Sequence, residues 1–401
     1  MRKTIVVIAD SFHERYLIDS GLLDTSREDL IFYVFEASYP LLNEYNGRAF
    51  KEVQLSRFNR VLIGAVLYSS RVFSETVNRK TEKLSSAKRI VYRVLNLITP
   101  LLKYTIRSRA EVKALKQDNA SKIILSTPFQ KHNDLRIGVA AKKLGIEIES
   151  YVYSWDNLTA KGPFIFELDK IHVWNDIMKS EAIRYHNMKP KNISIIGVPL
   201  YKYIYKKYLL DNRNFDQMPW HKFGFKILLA TIPGFYYGNG HLFLAQKIIN
   251  ILGKDECLII RPHPLDELDY SSLQSAQVFV DDYTNSPRGS LKTFQFGKNS
   301  IDHYFAVLNS CDIVINVAST VTIDAAVVGT PTINIAFSCD NSMKSTTVKS
   351  YYNYTHYKKV VEYDEVNIAY DFTELIDLMK SRPNKIENSK LAKDFGGPYC
   401  S

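Results

Sequence analysis

The sequence predicts an α/β protein of two domains built on mainly parallel sheets. Three observations carry this. The chain has 401 residues, more than one hydrophobic core usually serves. Its apolar residues come in short runs of strand length separated by helical segments, the rhythm of βαβ units. The strongest such unit, 312–336, is strand, Ser319-Thr320 turn, Ala-rich helix, Gly329 and strand again. Hydrophobic residues at 46% and charged residues at 23% are the balance of an ordinary globular protein.

The first domain is expected over 1–198. Its opening strand, 4–9, follows Met1-Arg2-Lys3 and stops at Asp10, with Ser11, His13, Glu14 and Arg15 directly behind. That abrupt polarity suits a buried strand better than an export signal. Runs at 30–35 and 60–67 have strand length, and 68–118 reads as mostly helical and strongly basic. The strand at 122–126 leads to a helix over 134–144, closed by Gly145, a good stop signal. Strands at 146–153 and 170–174, a helix over 177–186 and a strand at 193–197 complete the domain.

Residues 199–224, rich in Tyr, Lys and Asn, read as the linker. The second domain is expected over 225–365, with a helix and polar tail over 366–401. Its strands are predicted at 225–230, 256–260, 276–280, 312–317 and 331–336, with helices at 242–252, 301–310 and 321–328. Thr231-Ile232-Pro233-Gly234 and Gly238-Asn239-Gly240 read as a flexible loop over a cleft.

No apolar run reaches the ~18 residues that span a bilayer. Cys257, Cys311, Cys339 and Cys400 lie far apart, with no CxxC pair and no zinc spacing. Reduced thiols and a cytoplasmic location are expected, without disulfide framework, metal or cofactor. The net charge of +10 favours an acidic partner: nucleic acid, anionic lipid or a phosphorylated small molecule.

In the 312–336 unit, Ser319 or Thr320 is a natural N-cap, and Thr322 and Asp324 fall in the first turn behind it. Backbone N–H groups there suit a diphosphate, and Asp324 suits a ribose or sugar hydroxyl. The same residues serve equally well as a plain helix cap. Arg261-Pro262-His263-Pro264 leaves a strand end, where ligands collect in open parallel sheets. Arg261 suits a phosphate, and His263 suits phosphate donation or proton transfer.

In the first domain, Tyr153-Ser154-Trp155-Asp156-Asn157-Leu158-Thr159 leaves a strand in the same way. Trp155 suits stacking on a sugar face, Asn157 suits acceptor hydroxyls, and Asp156 suits general-base work. The competing reading is an Asx-type turn closed on its own backbone. His13 either lines the acceptor cleft or only packs, and His356 is a weaker candidate. In 87–116, eight basic residues (Lys88, Arg89, Arg93, Lys103, Arg107, Arg109, Lys113, Lys116) face one acid, Glu111, while apolar residues recur at helical spacing. Such a segment suits an anionic membrane surface or an ordinary packed helix; no nucleic-acid fold signature accompanies it.

The RPHP turn, the stretch ASTVTIDAAVVGTPTINIAF and the loop YSWDNLTAKG together resemble GT-B glycosyltransferases of bacterial surface-polysaccharide synthesis, capsule and O-antigen enzymes above all. CDP-glycerol glycerophosphotransferases and UDP-GlcNAc 2-epimerases are more distantly similar. The likeness runs through about 120–365 in motif order. It implies a GT-B fold, two Rossmann-like domains facing a cleft, and a metal-independent enzyme without a DxD motif. A nucleotide-sugar donor would sit on the C-terminal domain and a glycan or lipid-linked glycan acceptor on the N-terminal one. Arg261, His263, Ser319, Thr320 and Asp324 would then form the donor side; many relatives carry glutamate where Asp324 stands. The rivals are a nucleotide-sugar 2-epimerase, for which the carboxylates show no obvious cluster in sequence, a polyol-phosphate transferase, and a non-catalytic scaffold.

Overall fold

The computed structural model describes residues 2–35, 47–50, 106, 108–125, 132–161, 164, 167–205, 218–282, 288, 296, 300–340 and 343–397. The chain divides into two compact units, Met1–Pro199 and Leu200–Ser401. The strand expected at 60–67 and most of the basic segment 87–116 lie outside the described residues.

The first unit is a seven-stranded sheet, every neighbouring pair parallel. Its strands are β1 (Lys3–Ile8), β2 (Leu30–Phe35), β3 (Gly47–Phe50), β4 (Ala120–Leu125), β5 (Glu147–Tyr151), β6 (Lys170–Val173) and β7 (Ile193–Ile195). Their order is β3-β2-β1-β4-β5-β6-β7, so the winding reverses between β1 and β4. Ile5, Val6, Val7 and Ile8 are all buried, which explains why β1 reads as a continuous apolar run: both its faces are covered. The helix Asp176–His186 starts where Asn175 accepts a hydrogen bond from the Met178 N–H at 3.0 Å. It stops where Asn187 turns left-handed at φ 55°.

The second unit is a six-stranded sheet, again wholly parallel. Its strands are β8 (Phe225–Ala230), β9 (Glu256–Arg261), β10 (Val278–Val280), β11 (Ile313–Asn316), β12 (Thr332–Ile335) and β13 (Val366–Ala369). The order β10-β9-β8-β11-β12-β13 reverses between β8 and β11. Ile227, Leu229, Leu258, Ile260, Ile313, Ile315 and Ile333 pack with Leu244, Ile248 and Leu375 of the covering helices into one core.

Two expectations are corrected. The segment after 365, read as helical, begins with β13, four residues too short to show a period; helices Phe372–Lys380 and Lys390–Gly396 follow. The glycines after β8 do not form an open loop. They bracket a short helix, Gly234–Tyr237, and open a longer one, Gly240–Ile249. Gly240 is required by packing, since a Cβ there would lie 2.5 Å from the buried Tyr237 ring. Among the described residues, no helix is long and apolar enough to cross a membrane.

Candidate active site

In open parallel sheets the loops beyond the carboxyl ends of the strands, near the point where winding reverses, hold ligands. In the first unit this edge carries Asp10, directly after β1. Its Oδ1 accepts the N–H groups of Phe12 at 3.0 Å and His13 at 3.1 Å, so the chain folds back on its own carboxylate. His13 is 1% exposed, with Nδ1 3.0 Å from Asp10 Oδ1 and its ring edge-on to Tyr153 at 4.7 Å. His13 Nε2 has no hydrogen-bond partner among the described residues.

The loop after β5 closes largely on itself. Asn157 Oδ1 accepts from the backbone N–H groups of Tyr153 at 3.2 Å and Ser154 at 3.0 Å. Asp156 accepts from Ser154 Oγ at 2.8 Å and pairs with Lys161 Nζ at 3.3 Å. Trp155 is 1% exposed and lies against Trp174, whose Nε1–H donates to the Val152 carbonyl at 2.7 Å. Two expectations change. Trp155 is a core anchor without a free face for a sugar, and Asn157 is the Asx-type brace of the loop. Asp156 keeps a partly exposed carboxylate.

Three carboxylates that lie far apart in sequence act on Tyr153. Burial pushes its hydroxyl well above the ordinary phenol range, and the charges of Asp10, Asp156 and Asp134 push the same way. These acids come from three separate segments, and Asp134, on the helix His132–Leu144, is wholly buried.

In the second unit, the RPHP turn is braced from beneath. Thr231 Oγ1 accepts from the His263 backbone N–H at 2.8 Å and donates to Asp266 Oδ2 at 2.5 Å, and Tyr270 donates to the same oxygen at 2.8 Å. Asp266 is 0% exposed. His263 Nδ1 accepts the Leu265 N–H at 3.0 Å, so the ring proton resides on Nε2. Loss of solvent depresses His263 to about 4, leaving a neutral imidazole that donates a hydrogen bond at neutral pH. Deeper still, His241 accepts the Ile232 N–H at 2.9 Å and is depressed to about 3, chiefly by burial.

Arg261 is 5% exposed and ion-paired to Asp281. The other Asp281 oxygen meets His303 Nε2 at 2.6 Å. Burial works to raise the Asp281 carboxyl, but the His303 hydrogen bond and the Arg261 charge outweigh it and hold it low. Arg261 also lies 4.9 Å from the ring centroid of Tyr304, a cation–π contact. Tyr304 donates to Asp324 Oδ2 at 2.7 Å, and Tyr201 donates to Asp324 Oδ1 at 2.6 Å. Arg261 and Asp324, 63 residues apart (324 − 261), thus belong to one contact network at the carboxyl edge.

The turn after β11 places Ala318 at φ 38°, a left-handed conformation strained for a residue with a Cβ. It is held by the Ala318 N–H on Tyr352 OH at 3.2 Å and the Ser319 N–H on Asn316 Oδ1 at 3.3 Å. Ser319 Oγ accepts the Val321 N–H at 3.3 Å, whereas Thr320 caps with backbone only. Thr322 is corrected. Its wholly buried hydroxyl joins Asn316, Asn334 and Tyr357, so it supports the turn from inside the fold.

The structure therefore joins Arg261 to Asp324, keeps His263 and Ser319 on the same sheet edge, and turns Thr322 inward. Sequence reading missed Asp266, Asp281, His303, Tyr304, Tyr201 and Tyr357. Only Asp266, three residues after His263 in the same turn, had a local signal. Among the described residues, no group of three or more His, Cys, Asp or Glu is placed to hold a metal ion.

No protein-family model matches the sequence, and no curated protein matches it in sequence comparison. Solved structures do match. MnaA of S. aureus, solved with UDP, aligns at a TM-score of 0.56 and 8% identity, over 100% of this chain and 94% of that one. UDP-GlcNAc 2-epimerase of Methanocaldococcus jannaschii aligns at 0.54 and 11%, over 100% and 97%. UDP-GlcNAc 2-epimerase of Neisseria meningitidis, bound to UDP-GlcNAc, aligns at 0.51 and 9%, over 98% and 97%. At such identities the likeness is one of fold: this chain has the GT-B fold, two Rossmann-like domains with parallel sheets, shared with UDP-GlcNAc 2-epimerases.

Proposed function

We propose that this chain is a metal-independent glycosyltransferase. It moves a sugar from a nucleotide-activated donor to a hydroxyl of a capsule, O-antigen or similar surface glycan. The observation that carries the reading is the Arg261–Tyr304–Asp324 network at the carboxyl edge of the second unit. It supplies a cation and an oriented carboxylate beside the Ser319-Thr320 turn and the neutral His263 donor, a set suited to the diphosphate and ribose of a donor. Tyr201 and Tyr304 each donate to one oxygen of Asp324 and so fix the orientation of its carboxylate. On the first unit, Asp156 is the base for the acceptor hydroxyl and His13 lies behind the acceptor. The segment 87–116 would place the protein on the inner face of a membrane, which charge reversal at Lys103, Arg107 and Arg109 followed by liposome flotation tests.

A second reading, a nucleotide-sugar 2-epimerase, is favoured by the three carboxylates acting on Tyr153, since epimerisation needs acid and base groups around one sugar. Thermal shift against UDP, GDP, CDP, CMP and dTDP derivatives tests nucleotide binding; ligand at ~100 times its dissociation constant adds about 2.7 kcal/mol. Incubating the protein with labelled nucleotide sugars and no acceptor then separates the two. An epimerase alters the sugar, whereas a transferase leaves it intact until glycan is added. Unchanged turnover in EDTA is expected, and no shift with any nucleotide would sink both readings.

A further inference from the structure

We propose that His303 meets the leaving phosphate of the donor: its Nδ1 gives a proton to the departing oxygen while Asp281 holds Nε2. The inference rests on the donor-binding reading above and moves the acid role from His263 to a residue without a sequence motif.

The placement comes first. Asp281 follows β10, and its N–H donates to the Ile260 carbonyl at 2.8 Å, which keeps it in the ladder beside Arg261. The helix Ser300–Ser310 brings His303 onto that carboxylate and, one residue on, Tyr304 onto Arg261 and Asp324. His303 therefore belongs to the same network as the proposed donor groups.

Chemistry then settles which nitrogen is offered. Asp281 is buried and ionised, so His303 Nε2 must carry a proton toward it. The His303 side chain is 39% exposed and makes no other hydrogen bond among the described residues, which makes Nδ1 the ring nitrogen a ligand can meet. Arg261 already neutralises Asp281 through the opposite oxygen. A half-exposed imidazole is thus held in one orientation by a carboxylate that needs no further partner for its own stability. Such orientation is what proton transfer at a defined atom requires. His263 has the opposite character: its Nδ1 is filled by the Leu265 N–H, and burial keeps it neutral.

The step balances. The acceptor oxygen bonds to the anomeric carbon and yields its proton to the base. The bond from that carbon to the phosphate oxygen breaks, with its electron pair going to the oxygen. When the diphosphate binds, Nδ1 takes a second proton from solvent; the departing oxygen receives that proton, leaving a neutral imidazole whose Nε2–H stays on Asp281, and the base returns the acceptor's proton to solvent.

The test uses the full chain and two probes, inorganic pyrophosphate and UDP, by calorimetry and by NMR of 15N-histidine-labelled protein. Expected are a pyrophosphate-dependent shift of the His303 Nδ1 resonance toward its protonated position and about 10-fold weaker pyrophosphate binding in His303→Gln. His263→Gln is expected to leave the His303 resonance responsive. An unmoved His303 resonance, or undiminished binding in His303→Gln, overturns the inference while leaving the donor-site reading standing. Should wild-type protein bind neither probe, nor any other nucleoside diphosphate, both fall together.

Discussion

The strand-end regions of the two units are held by different kinds of contact. In the first unit the loop after β5 is braced by neighbours: Ser154 on Asp156, Asn157 on Tyr153 and Ser154, Lys161 on Asp156. In the second, polar groups are locked across long stretches of chain. Tyr201 reaches Asp324 over 123 residues, Thr231 reaches Asp266 over 35 and Tyr357 reaches Asn334 over 23. Bracing within the loop fixes its own shape, while Tyr153 and Trp155 carry its contacts to distant segments at His13 and Trp174. A cross-linked edge orients several functional groups at once, and removing one leaves buried partners unpaired.

That contrast predicts a gradient of stability costs. Asp281→Ala removes the carboxylate ion-paired with buried Arg261 and is expected to cost about 3–5 kcal/mol in urea unfolding; a loss below 1 kcal/mol would break the comparison. Trp155→Ala, the core exception in the first loop, should cost about 3–5 kcal/mol as a cavity. Weaker sugar binding at unchanged stability would instead restore Trp155 as a stacking surface.

Acid should act on both regions, and more on the second: it holds two depressed histidines, where the loop after β5 has His186, set on the Leu158 carbonyl and lowered to about 4 by burial. His241 and His263 are depressed when folded, to about 3 and about 4. Unfolded chains gain protons below about pH 6.5 that these folded rings refuse, so stability falls as pH drops from there toward the folded values. His241→Gln should flatten that slope in unfolding measured between pH 7 and pH 4.5, even if it lowers stability at pH 7. An unchanged slope would mean that acid acts elsewhere.

Tyr357→Phe removes the hydroxyl shared by Asn334, Thr322 and the Ser319 carbonyl, at an expected cost of about 1–3 kcal/mol. Lys161→Ala breaks a partly exposed pair, for which about 1 kcal/mol or less is expected. Equal losses in these two variants would erase the distinction between the regions.

The legibility of the sequence follows the same division. Continuous apolar runs marked β1, β2, β8 and β9 because strands buried on both faces need nothing else. Gly145 and Gly329 marked helix ends because both adopt positive φ, at 67° and 72°. Short β13 and the Gly240 helix start escaped, one for want of length and one because its glycine answers to the Tyr237 ring. Asp156, His263 and Ser319 were visible as polar residues at strand ends, but the inward turn of Thr322 and the burial of Trp155 were not.

By itself, then, the sequence determined the parallel α/β architecture and the strand ends where chemistry could gather. Hydrophobic burial and backbone geometry act over a few residues and leave a mark in their order. Tertiary structure alone decided which charges meet: Asp281 with Arg261 and His303, and Asp324 with Tyr201 and Tyr304. Such pairings depend on distances between segments far apart in the chain, and these exist only once the sheet has formed.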